Sequence, residues 1–202
     1  MPPKTVFTKE QIMDTAFEIF KEEGIENLSV RKLAERMRSS TAPIYTSFEN
    51  ADQIKQQLLG HALEILTDYT EREYTGDVFL NIGLGLLQFA RDYKSVYRKL
   101  FMQDNKYGYI LRKFNERNLI QMKKAEHLKY FGEADLTSML KKMSTYTHGL
   151  AAMMCAGMLE DESCEYFMKE LSEMGSCVIG AHAYMRGHID KVEGAIKKGC
   201  ML

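Results

Sequence analysis

The chain has 202 residues, 45% of them hydrophobic, and a formal net charge of −1. That is enough apolar material to bury a sizeable core, which excludes a disordered chain; the length fits a small domain followed by a larger one. The near-neutral charge excludes a polycation, so any contact with nucleic acid must come from local charge.

Thr8 opens the first predicted helix, with a capping box to Gln11 and a staple between Phe7 and Ile12. Ile12, Ala16, Ile19 and Phe20 form its apolar stripe. Gly24 fits the position just past its end, with Ile25 packing back on Phe20 as in a Schellman ending. Ser29 is the expected cap of a second helix, with Leu28 and Leu33 as its staple. Val30, Leu33, Ala34 and Met37 follow at i, i+3, i+4 and i+7. A polar break at Arg38-Ser39 precedes a third helix, capped by Ser40, with Pro43 in its first turn and Ile44 and Phe48 turned inward. Two short helices joined by a tight turn are a helix-turn-helix, whose second helix can enter the DNA major groove. The outer face of that helix, Thr41, Ala42, Tyr45 and Thr46, holds no acidic residue. Its hydroxyls suit phosphates or base edges, and an Ala or Thr methyl suits a thymine methyl.

This stretch, Thr8 to Leu59, resembles the TetR family of bacterial transcriptional regulators. The resemblance is carried by Phe17-Glu18-Ile19-Phe20 through Gly24-Ile25, then Leu28-Ser29-Val30-Arg31, Leu33-Ala34, Ser40-Thr41-Ala42-Pro43-Ile44-Tyr45 and Phe48. It departs from the family at three places. Arg38 stands where Gly is usual in the turn. Ser47 replaces a common aromatic. Ala51 stands where many members carry a phosphate-contacting Lys, with Lys55 one turn on as its substitute. The expected DNA contacts are Ser29, Arg31, Ser40, Thr41, Ala42, Pro43, Tyr45, Thr46 and Lys55. Between Ser29 and Leu58 the basic Arg31, Lys32, Arg36, Arg38 and Lys55 outnumber the acidic Glu35, Glu49 and Asp52. This modest excess favours phosphate.

Asn50 starts a fourth helix, with a box to Gln53. Its stripe of Ile54, Leu58, Ala62, Ile65 and Tyr69 runs for about 36 Å. Such a helix is a mechanical link between two parts of a protein. Thr75-Gly76-Asp77 ends it. From Val78 to Asp92 apolar residues lie on nearly every face, as in a central helix, and Gly83 and Gly85 admit a neighbour closely. Val96-Tyr97-Leu100-Phe101 predicts a short helix, and Tyr107 to Phe131 a longer one closed by Gly132. In the last third, Leu136, Leu140, Met143, Thr147, Leu150 and Met154 repeat at alternating four and three residues. So do Phe167, Leu171, Met174, Val178, Ala181 and Met185. Two such seams fit near-parallel helix packing. The resemblance implies that this pair meets its copy in a second subunit, with Leu150, Met154, Met174, Val178 and Ala181 at the interface. Residues from Val192 to Cys200 read as a polar tail.

No catalytic constellation, phosphate loop or metal motif stands out, so the expectation is no enzyme, no cofactor and no metal. His182 and His188 are six apart and share no helix face. Cys155, Cys164, Cys177 and Cys200 show neither CxxC nor zinc spacing, which suits reduced thiols in the cytoplasm. Met1 to Thr5 lacks the apolar core of a signal peptide, and the longest apolar run, Gly149 to Leu159, is too short to cross a bilayer. The expected protein is all-α. A helix-turn-helix DNA-binding domain occupies residues 1–50, and a helical ligand-binding and dimerisation domain occupies 51–202. It would act as a homodimer on a double-stranded DNA operator, most often as a repressor released by a small apolar or amphipathic effector. Effector contacts are expected from Phe89, Tyr93, Phe101, Met122, Met143, Tyr146 and His148, bulky or polar-tipped residues of the middle helices. The alternative is a cytosolic all-α enzyme or small-molecule carrier.

Overall fold

The computed structural model describes residues 7–102 and 108–199, and these form helices joined by turns. The helices are α1 (Lys9–Glu23), α2 (Val30–Arg36), α3 (Ala42–Ser47), α4 (Ala51–Glu71), α5 (Val78–Asp92), α6 (Lys94–Phe101), α7 (Gly108–Met122), α8 (Glu133–Cys155), α9 (Cys164–Arg186) and α10 (Ile189–Gly199). Short 3-10 turns lie at Ile25–Asn27 and Glu126–Leu128. None of the described helices is long and apolar enough to cross a membrane.

The chain divides into two compact units. The first holds residues 1–64 and 93–105, and the second holds 65–92 and 106–202. The division therefore falls inside α4 rather than after Asn50, and α6 joins the first unit. The reason is packing: Val96, Tyr97 and Leu100 of α6 are buried, α6 lies against α1, and Lys99 Nζ bonds Glu26 Oε1 at 2.5 Å.

In the first unit the Thr8–Gln11 capping box closes in both directions. Ile12, Ala16, Ile19 and Phe20 are fully buried. Gly24 takes φ +86° and ψ 156°, outside the left-handed helical well, so the Schellman ending expected there is replaced by a turn into Ile25–Asn27. Leu28, Leu33, Ile44 and Phe48 complete this core. Burying each such side chain contributes roughly 1.5–3 kcal/mol, so the short α2 and α3 are held by packing rather than by propensity.

In the second unit α5 is the central helix. Every residue from Leu84 to Ala90 is buried, and α5 packs against α7, α8 and α9. Asp77 caps it, accepting from the Phe79 N–H at 2.8 Å. A methyl group at Gly85 would lie 2.2 Å from the Tyr69 carbonyl oxygen, so the end of α4 touches α5 backbone to backbone. A methyl at Gly83 would meet only the tip of Leu171, at 2.9 Å. The helix expected over 107–131 stops at Met122. Ala125 is extended, and the chain then turns so that Ala125, Leu128 and Phe131 are buried. The expected polar tail is α10: Val192 is buried and α10 packs on α9. Buried Asp135 ties α8 to α9. It accepts from Arg186 at 3.0 Å and lies 3.3 Å from His182 Nδ1, and the guanidinium first, then the imidazole, hold its pKa down.

Candidate functional site

The helix-turn-helix is built by α2 and α3. Ser29 Oγ accepts from the Lys32 N–H at 3.2 Å and so starts α2. The turn closes with Met37 N–H on Leu33 O and Ser39 N–H on Ala34 O, both at 2.9 Å. Arg38 sits between them at φ +52°, the left-handed region where the Gly usual in this turn is at ease. The residue preceding α3 is Thr41, not Ser40, and it makes no side-chain cap. Ser40 instead accepts at its carbonyl from Ser39 Oγ at 2.9 Å. Pro43 lies in the first turn, where its missing N–H breaks no helical bond.

Ile44 and Phe48 anchor α3 inward, which turns Thr41, Ala42, Tyr45 and Thr46 outward, with Tyr45 57% exposed. The Thr46 hydroxyl donates to Pro43 O at 2.5 Å, so its lone pairs remain as acceptors. Ser29 and Arg31 are exposed at the start of α2, and Pro43 and Lys55 are half-buried. The local positive charge is largely spent. Arg31 pairs with Glu35, Lys32 with Glu23, and Arg36 with both Glu22 and Glu23. Lys32 foremost pulls the Glu23 pKa down. The Lys32 and Arg36 pairs tie α2 to α1. The exposed Arg38 guanidinium has no partner among the described residues. Arg38 departs from the motif and is absent from the contact set expected from sequence. The available signal was a cation in the turn itself.

The second unit holds a cavity of about 940 Å³, walled by α5, α7, α8, α9 and α10 and by the segments 75–77 and 124–130. Phe79, Ile82, Leu86, Phe114, Leu140 and Leu171 supply much of its apolar lining. Of the expected effector contacts, Met143 and His148 line this cavity. Burial pushes the His148 pKa down to about 4, so its imidazole is neutral near pH 7. The other candidates are placed elsewhere. Phe89 is fully buried against Tyr69, ring centres 5.9 Å apart, and Met122 is core. Tyr146 donates to Glu170. Tyr93 and Phe101 belong to the first unit, beside Phe17 and Tyr97. Asn118, Ser172 and Ser176, which do line the cavity, carried no periodic signal in the sequence.

Residues 12–59 match the model of the bacterial regulatory proteins of the tetR family. That match, over less than half of the chain, makes its N-terminal part similar to the DNA-binding domain of that family. A curated relative, the HTH-type nicotine-responsive transcriptional repressor HdnoR of Paenarthrobacter nicotinovorans, is 28% identical over 72 residues. That stretch spans 36% of this chain and only 37% of the relative. A TetR-family transcriptional regulator from Marinobacter aquaeolei VT8 has the same fold, with a TM-score of 0.56 at 18% identity over 82% of this chain and 89% of that one. So does a TetR variant from Acinetobacter baumannii AYE solved with minocycline, with a TM-score of 0.55 at 18% identity over 89% of this chain and 98% of that one. The seam on α8 is an internal one. Leu150 and Met154 are buried within their own protomer, where α5 and α9 cover that face of α8, and so is Val178 on α9. Met174 is half-buried. Of the expected interface residues Ala181 is exposed, and it shares a face of α9 with Cys177 and the 79% exposed Tyr184. Gly149 and Met153 are exposed on α8.

Proposed function

We propose that the protein is a homodimeric transcriptional regulator that reads an operator with α3 and leaves it when an effector fills the cavity of the second unit. The observation that carries this reading is the outer face of α3. Thr41, Ala42, Tyr45 and Thr46 stand exposed without a carboxylate, on a helix fixed from behind by Ile44 and Phe48. Such a face suits base edges and phosphates. Two copies related by a two-fold axis address two half-sites. Repression is the mode named for the curated relative and the one assigned here.

The effector acts only through unequal affinity for two conformations. The cavity is lined by α5, which touches the last turns of α4 at Gly85, and α4 runs unbroken from Ala51 to Glu71. A shift of α5 therefore displaces the end of a helix that begins immediately after α3. Selection of bound duplexes from a random pool tests the reading. An inverted repeat is the expected outcome, and a pool that never enriches favours a carrier or enzyme that uses the same cavity without DNA.

A further inference from the structure

The cavity has a neutral interior and one buried hydroxyl with nothing to bond. Ser172 of α9 is 8% exposed, and its Oγ has no hydrogen-bond partner among the described residues. It lines the cavity beside Leu171 and Gly175. A buried hydroxyl left unpaired is costly, so a group that completes it binds with an advantage. Thr147, by contrast, already donates to Met143 O at 2.8 Å. Asn118, buried on α7, Ser144, Ser176, His127 and the His148 imidazole, uncharged near neutral pH, are further polar groups of the lining.

Charge is confined to one end of the lining and is already engaged there. Asp77 caps α5, Lys124 bonds Gln121, Glu126 pairs with Lys129, and the Lys191 ammonium lies 5.2 Å from the centre of the Tyr130 ring. An ion carried into the interior would shed its water and meet no countercharge.

We propose that the cavity takes an uncharged amphiphile: an apolar body bearing one neutral oxygen function, hydroxyl or carbonyl, hydrogen-bonded to Ser172 Oγ. This rests on the cavity being the effector site of the regulator. Three probes of one chain length test it by calorimetry on the whole protein: decanol, decanoate and decylammonium, at neutral pH. Decanol is expected to bind at least about tenfold more tightly than either ion. Ser172→Ala is expected to weaken decanol about five- to tenfold without lowering the melting temperature of the unliganded protein, because the hydroxyl has no partner to lose. Either ion binding as tightly as decanol overturns the proposal. So does the absence of binding by all three, or a Ser172→Ala variant with unchanged decanol affinity. The regulatory reading fails by a separate result: no duplex bound by the unliganded protein.

Discussion

Arg38 holds a backbone conformation, and His148 a proton affinity, that is unusual for its residue type. The left-handed backbone at Arg38 costs an L-residue about 1–2 kcal/mol, and Gly gives back part of that gain as chain entropy in the unfolded state. Arg38→Gly is therefore expected to stabilise the fold by about 0.5–1 kcal/mol, read as a higher melting temperature. Because the guanidinium is exposed beside the reading helix, the same change is expected to reduce the slope of log affinity against log salt by about one. A slope that does not move removes Arg38 from phosphate contact. His148 sets a pH dependence. Its folded pKa, pushed by burial to about 4, lies below the ordinary 6.5, so the unfolded chain takes up the proton first as pH falls. Its contribution is fully present above pH 6.5 and is lost between there and about 4, on the order of 2 kcal/mol for a side chain that is not wholly enclosed. Denaturant titrations at several pH values check this. His148→Gln is expected to flatten that part of the profile.

At the scale of elements, capping and periodicity carried most of the information. Thr8 with Gln11, Ser29 with Lys32, and the continuous apolar run from Val78 to Asp92 each specify a helix locally, and the helices stand there. The end of α7 and the existence of α10 were not legible in the same way. Lys123 and Lys124 do not forbid a helix, and α10 follows from Val192 and Ile196 only once α9 offers a surface to cover them. Gly83 and Gly85 look equivalent in sequence and are not. Gly85→Ala drives a methyl into the backbone of α4 and is expected to cost about 3 kcal/mol, whereas Gly83→Ala presses only on the mobile tip of Leu171 and is expected to cost less than about 1 kcal/mol. Equal losses in thermal unfolding would mean that α4 and α5 do not meet as described. The cavity was the least legible part of the site. Which of many bulky residues face one space depends on how the surrounding segments pack, and Phe89 and Met122 are core by that packing alone.

For the whole molecule, the account requires a dimer whose reading heads match two half-sites. The heptad-like spacing on α8 and α9 marks helices that pack nearly parallel, but it does not say whether the partner is in the same chain. Leu150, Met154 and Val178 already have theirs. A charge at Val178 would therefore unfold the protomer, while Ala181→Asp, on the exposed face with Cys177 and Tyr184, is expected to leave a folded monomer. Light scattering with circular dichroism separates the two, and an Ala181→Asp protein that stays dimeric moves the interface off this face. The central claim is that α3 reads DNA, and the most direct measurement is the affinity of the unmodified protein, Thr41→Ala and Tyr45→Phe for the duplex selected from a random pool. Each variant removes an exposed hydroxyl that the fold does not use. The account predicts folded proteins with unchanged melting temperatures and losses of about 1 kcal/mol each, five- to tenfold in affinity. Undiminished affinity in both variants would contradict it.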